Sequence, residues 1–282
     1  ASVLNALTTT STDAITMTVN AEAASAATQA ADLVSLNGNT NQAIIMTAVS
    51  SVSGNYADLL DIYVTNKTQY TGIGDETVTI TGSVSATQAD TIADATSGSV
   101  SATINSDTAA NLNAALNDSG SQVNAYTLTV SDSGTTLASD LTSLDSKTSV
   151  TVNATAVTSI GGTANEIAIA VAATGINTSS TYNVSVTGGT VATVADLITI
   201  NNDTSGTITL NAATNNANYS DTTANILAAF NGITSLTGTM GLSDSTTVAN
   251  INTVAGMTSG VLTATVTSGA ASVLKALTTT ST

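Results

Sequence analysis

Short runs in which apolar and polar residues strictly alternate recur along the chain. Ile15, Met17 and Val19 alternate with Thr16, Thr18 and Asn20. Tyr126, Leu128 and Val130 alternate with Thr127, Thr129 and Ser131, and Tyr182, Val184 and Val186 with Asn183, Ser185 and Thr187. The same period of two runs through 78–80, 100–102, 150–152, 208–210 and 262–266. A period of two with one polar face predicts half-buried β-strands.

Between these runs lies a second pattern: a Thr or Ser, a small residue, an Asp or Asn, then a Leu or Ile, often with another apolar residue three positions on. It reads Thr28-Gln-Ala-Ala-Asp-Leu33 with Leu36, Thr87-Gln-Ala-Asp-Thr-Ile92, Thr193-Val-Ala-Asp-Leu197 with Ile200, and Thr247-Val-Ala-Asn-Ile251 with Val254. Apolar spacing of i and i+3, a residue suited to N-capping and an acid in the first turn predict a short helix. The first apolar position of each unit falls at 4, 33, 59, 92, 112, 141, 167, 197, 226, 251 and 274, ten steps with a mean of 27 residues.

That spacing is the length of one coil in a repeat protein. A helix followed by a strand, repeated, predicts parallel strands joined by right-handed crossovers, in which no unit buries its apolar stripe without its neighbours. The expected fold is therefore a repeat solenoid with a short helix or helical corner per ~27-residue coil. Because Thr-rich segments are modest helix formers, an all-β solenoid with the Thr-Ala-Asp-Leu segments as corners is the alternative.

A longer repeat encloses the shorter one. Ala1-Ser-Val-Leu-Asn-Ala-Leu-Thr-Thr-Thr-Ser-Thr12 recurs as Ala271-Ser-Val-Leu-Lys-Ala-Leu-Thr-Thr-Thr-Ser-Thr282, identical at 11 of 12 positions with an offset of 270. Residues 1–270 read as one super-repeat of about ten coils, and 271–282 as the start of the next copy. The first residues lack an initiator Met, a basic region and an apolar core, so the chain is expected to be processed or part of something longer.

Composition narrows the chemistry. Of the 282 residues 57 are Thr and 45 are Ala, and Pro, Cys, His, Trp and Arg are absent. Zinc ligation by Cys and His, disulfides, Cys-His nucleophiles and Ser-His-Asp triads are thereby excluded, leaving no candidate catalytic or cofactor-binding residue. Three lysines (Lys67, Lys147 and Lys275) face 19 acids, for a net charge of -16, which makes nucleic acid a poor partner. Mean hydropathy of +0.28 with 8% charged residues argues against disorder. The longest strongly apolar stretch, 167–173, is too short to span a membrane.

The units 136–154 (Thr136-Leu-Ala-Ser-Asp-Leu-Thr-Ser-Leu-Asp-Ser-Lys-Thr-Ser-Val-Thr-Val-Asn-Ala154) and 87–104 (Thr87-Gln-Ala-Asp-Thr-Ile-Ala-Asp-Ala-Thr-Ser-Gly-Ser-Val-Ser-Ala-Thr-Ile104) resemble the Thr/Ala-rich repeats of giant surface proteins of marine cyanobacteria. The resemblance runs over essentially the whole chain and implies a secreted, repetitive, extracellular or cell-surface protein with no catalytic residues to carry over. The function expected on this reading is structural: an extracellular filament or surface layer whose partner is itself, head to tail along the repeat axis and laterally. The stalk of a large adhesin is the alternative.

Other patterns carry smaller expectations. The Asp at 32, 58, 90, 140 and 196 could form a carboxylate row for Ca²⁺, but no EF-hand or Gly-Gly-x-Gly-x-Asp loop is present, and an Asp in a first helical turn already has a capping role. Asp75, Glu76 and Asp203 read as solvated turn residues. Thr-x-Thr runs such as Thr16-Met-Thr18, Thr77-Val-Thr79 and Thr263-Ala-Thr265 raise ice binding by a flat Thr ladder, which uneven unit spacing should break; Thr is also simply a good strand former.

Overall fold

The computed structural model describes residues 4–21, 27–117, 123–233 and 235–279, so residues 1–3 and 280–282 of the twelve-residue repeat lie outside the described residues. The chain divides into two compact units, one of residues 1–131 and 143–153, the other of 132–142 and 154–282.

In the first unit, strands β1 (Thr28–Gln29), β2 (Ile44–Ile45), β3 (Ser51–Gly54), β4 (Tyr70–Thr71), β5 (Thr77–Val84), β6 (Val100–Ile104) and β7 (Ala125–Thr127) are interspersed with helices α1 (Ala30–Asn37), α2 (Tyr56–Leu60), α3 (Ala86–Ala93) and α4 (Ala109–Ala115). β1-β3-β5-β6-β7 form one parallel sheet in chain order, and β2 pairs with β4. Thr28, Val52, Val78 and Val100 lie side by side across it. All four are buried, as the period-two pattern requires. The helices bury Leu33, Leu59, Ile92 and Leu112, the four residues that mark the repeat there.

Helix α5 (Ala138–Lys147) and strand β9 (Val152–Ala154) carry residues of both units. The second unit contains β8 (Thr135–Leu137), β10 (Ser159–Gly162), β11 (Ile176–Thr178), β12 (Asn183–Val186), β13 (Ile208–Thr209), β14 (Tyr219–Asp221), β15 (Met240–Thr246) and β16 (Leu262–Val266). Its helices are α6 (Ala164–Ala172), α7 (Val194–Asp203), α8 (Ala212–Asn215), α9 (Thr223–Phe230), α10 (Val248–Ala255) and α11 (Ala271–Leu274). Two parallel sheets run β8-β10-β12-β13 and β14-β15-β16. The core rows are again the alternating positions, with Ile160 beside Val184 and Tyr219 beside Met240, all buried.

The Thr-x-Asp-Leu segments are helices, not the corners of an all-β coil. Their caps explain why Thr-rich sequence folds this way. Thr108, Thr163, Thr193, Thr222 and Thr247 each accept a hydrogen bond from the third helical N–H, as does Ser85. At Ser85/Gln88, Thr163/Glu166 and Thr193/Asp196 the third side chain also reaches back to the cap N–H, completing a capping box worth roughly 1 kcal/mol or more per helix. The first-turn polar residue thus has a specific acceptor role beyond its interaction with the helix dipole. Two caps differ from the expected pattern. Thr28 is a buried strand residue while Gln29 precedes α1 without capping, and α3 starts from Ser85 instead of Thr87.

Paired strands advance by steps no longer than the mean helix spacing of ~27: Ile160↔Val184 and Val184↔Ile208 are 24 apart, Tyr219↔Met240 is 21 and the bridge Thr18↔Ile45 is 27. Between β13 and β14 lies α8, a single turn capped by Asn211, whose sequence Asn211-Ala-Ala-Thr214 lacks the Leu or Ile by which the other units are recognised.

Candidate functional site

A recurring polar feature is a turn whose Thr and Ser bond backbone groups 20 to 25 residues earlier. At Thr204-Ser205-Gly206 the Thr204 Oγ1 accepts the Gly206 N–H (2.9 Å) and donates to the Tyr182 carbonyl 22 residues earlier (2.5 Å). Ser205 adds its N–H and hydroxyl to the Ser180 carbonyl. The same arrangement is built at Thr96-Ser97-Gly98 onto Glu76 and Gly74, and at Thr258-Ser259-Gly260 onto Gly238 and Leu236. At Thr148-Ser149-Val150 it reaches Tyr126 and Asn124. Thr40 does likewise, accepting the Gln42 N–H and donating to the Ile15 carbonyl.

These five threonines, at 40, 96, 148, 204 and 258, lie 52 to 56 residues apart, in every second repeat unit of the sequence. Thr40, Thr96, Thr148 and Thr204 are buried, which their hydrogen bonds make tolerable, since an unpaired buried hydroxyl costs about 1–3 kcal/mol. Glycine follows at 98, 206 and 260 because a Cβ there would collide with the backbone of Glu76, Tyr182 and Gly238 respectively. The Thr-Ser-Gly recurrence is visible in the sequence, but the strand and helix periodicities do not isolate it.

The clasp yields a direct prediction. Thr204→Val keeps the shape but strands the Gly206 N–H and Tyr182 carbonyl, so it should lower unfolding free energy by about 1–3 kcal/mol, while Thr204→Ser should stay within ~0.5 kcal/mol of the parent. Urea midpoints of the two variants check this; equal midpoints would remove the clasp's energetic role.

Two acids expected in solvated turns have partners in the fold. Glu76 is only 1% exposed and its Oε2 accepts from the Tyr63 hydroxyl (3.2 Å) and the Gly74 N–H (2.8 Å). It sits two residues before Val78, so strand alternation turns it inward. Asp203 accepts from the Tyr182 hydroxyl at 2.6 Å. Burial, then the neighbouring carboxylate, pushes the Tyr63 phenol well up; for Tyr182 burial is again the main cause, followed by its hydrogen bond to Asp203. Tyr70 is raised by burial and by Asp61, and burial alone pushes Tyr219 up to about 12 against the Thr214 hydrogen bond.

The five repeated aspartates are dispersed over helices. Asp58 accepts from Asn55 Nδ2, Asp196 from the Thr193 hydroxyl and Asp90 from the Asn117 N–H; Asp32 and Asp140 occupy first turns of α1 and α5. Among the described residues no three His, Cys, Asp or Glu side chains converge on a point that could hold a metal ion. Asp107 is lowered by the Asn111 amide and the Thr108 N–H, and Asp244 by the hydroxyl and N–H of Thr223. Lys67 donates to the Ala95 carbonyl and Lys147 to that of Leu116.

One outward row of the first sheet reads Gln29, Ser53, Thr79, Ser101 and Ala125, with Thr79 its single Thr, and another places Ser83, Thr103 and Thr127 side by side. Among the described residues no helix is long and apolar enough to cross a membrane. Compared with protein families, curated proteins and solved structures, the chain matches no family model, no curated protein and no solved structure.

Proposed function

We propose that the chain is a non-enzymatic structural segment of an extracellular filament or cell-surface layer, built as a solenoid whose coils carry load from neighbour to neighbour. The observation that carries this reading is the clasp recurring every second coil: its hydroxyls, N–H groups and carbonyls are spent on joining coils. A 270-residue repeat that begins again at residue 271 fits the same purpose, because a load-bearing array lengthens by adding copies without new chemistry.

The test is immunogold electron microscopy on cells that make the protein, with antibody raised against residues 1–270. Label on external filaments or the outer surface is the expected result. Label confined to the cell interior would overturn the reading.

A further inference from the structure

The described residues of the segment that recurs at 1–12 and 271–282 lie in two different surroundings. Near the start of the chain, the segment bonds forward: the Thr9 hydroxyl donates to the Asn39 carbonyl, and Asn41 Nδ2 donates to the Thr12 carbonyl. Near the end, it bonds backward: Asn252 Nδ2 donates to the Ala276 carbonyl, and the Thr278 N–H donates to Asn252 Oδ1. Carried over by the offset of 270, Ala276 and Thr278 correspond to Ala6 and Thr8, so the forward and backward contacts use different residues of one segment. Both sets can therefore be made at once. An interior counterpart exists: Asn201 Nδ2, on α7, donates to the Ala228 carbonyl of α9.

The apolar positions show the same incompleteness. Leu33, Leu59, Ile92, Leu112, Ile167, Leu197 and Ile226 are essentially inaccessible, whereas Leu274, in the equivalent place on α11, is half-exposed. On β16, Leu262, Ala264 and Val266 are half-exposed, although Val100, Ala102 and Ile104 on the interior strand β6 are buried. Beside them lies an open cleft of about 620 Å³, whose lining includes Ile251, Ala255, Leu262, Ala264, Val266 and Leu277.

The strand edges match as well. β16 bonds β15 through the Val261 carbonyl and the Thr267 N–H, so the N–H groups of Leu262, Ala264 and Val266 point away from β15. At the other end, the Met17 carbonyl and Val19 N–H bond Ile45, which turns the N–H groups of Thr16 and Thr18 toward the opposite edge. Met17 and Val19 place their side chains inward, as the β16 apolar row does. With the 270-residue offset, Ile15 of a following copy comes 23 residues after Leu262, within the 21 to 27 residues that separate paired strands elsewhere.

We infer that the β16 edge and its cleft are the docking surface for a second copy of this chain joined in tandem, whose residues 1–12 coincide with 271–282 and whose residues 15–19, bridged to Ile45 through Thr18, extend the parallel sheet. This rests on the repeat reading proposed above and adds the surface, the segment and the register by which copies join.

The test is hydrogen–deuterium exchange on the 282-residue chain and on a tandem protein of residues 1–270 followed by 1–282. In the tandem, the first copy's amides of Leu262, Ala264 and Val266 should exchange ~10-fold or more slowly than in the single chain, because they gain strand partners. Thr18→Pro in the second copy should abolish that gain, since it removes an edge donor. The same substitution in the first copy, or Ala264→Pro in the second, leaves the junction intact and should preserve the gain. Unchanged β16 exchange in the tandem, or a gain that survives Thr18→Pro in the second copy, would overturn the docking. Interior strands β5 and β12 report separately on whether the repeats themselves fold, and the site of antibody labelling reports separately on the filament reading.

Discussion

Ile92→Asp is expected to lower unfolding free energy by about 3–5 kcal/mol, because it places a carboxylate without a counter-charge in a site that excludes water. Ile92 lies on α3, fully buried, where that helix packs against β5, β6, α2 and α4. A loss of that size is a large fraction of the ~5–15 kcal/mol that holds a typical domain folded. The effect should spread to α2, α4, β5 and β6, since these elements pack against α3. Thr79→Ser, on the exposed outward row of the same sheet, should change stability by no more than ~0.5 kcal/mol. Urea unfolding followed by circular dichroism separates the two; similar midpoints would mean that the inward and outward faces are misassigned.

The second large effect is expected in alkali. Tyr63, Tyr70, Tyr182 and Tyr219 have phenols held above their ordinary value, chiefly by burial, with the carboxylates of Glu76, Asp61 and Asp203 adding to the first three. A phenol in the unfolded chain ionises near pH ~10. A folded-state value raised above that contributes stability fully present below pH ~10 and lost as pH rises through the folded value. Four such groups act in the same direction, so the fold should fail cooperatively above pH ~10. Tyrosinate absorbance at 295 nm and the circular dichroism signal should then change together. Gradual ionisation of all the tyrosines near pH ~10 with the backbone signal intact would show that these phenols are not buried as described.

The acidic side has a smaller counterpart of opposite sign. Asp107 and Asp244 are lowered by hydrogen bonds to the ionised carboxylates, so their contribution is present above the ordinary carboxylate value and disappears as pH falls through the folded one. Both are solvent-exposed and the effect is correspondingly weak.

Much of the local structure follows from the sequence because its causes are local. Strand alternation sets the inward rows through Val52, Val78, Val100, Ile160 and Val184, and cap residues three positions ahead of a polar partner set the starts of α6 and α7. The recurrence of residues 1–12 at 271–282 is likewise a property of the sequence. What needed the tertiary structure is everything decided between residues distant in sequence. Thr204 reads as one more exposed Thr until the Tyr182 carbonyl is seen 22 residues back, and Glu76 reads as a turn acid until Tyr63 closes over it. Thr28 has the sequence of a cap, yet lateral pairing with Val52 makes it a core residue, because strand pairing outweighs a local hydrogen bond when the neighbouring strand is in place. Composition biased to Thr, Ser and Asn hides such choices: one side chain can cap, clasp or face water, and only the carbonyl or N–H brought to it by a segment distant in sequence determines which.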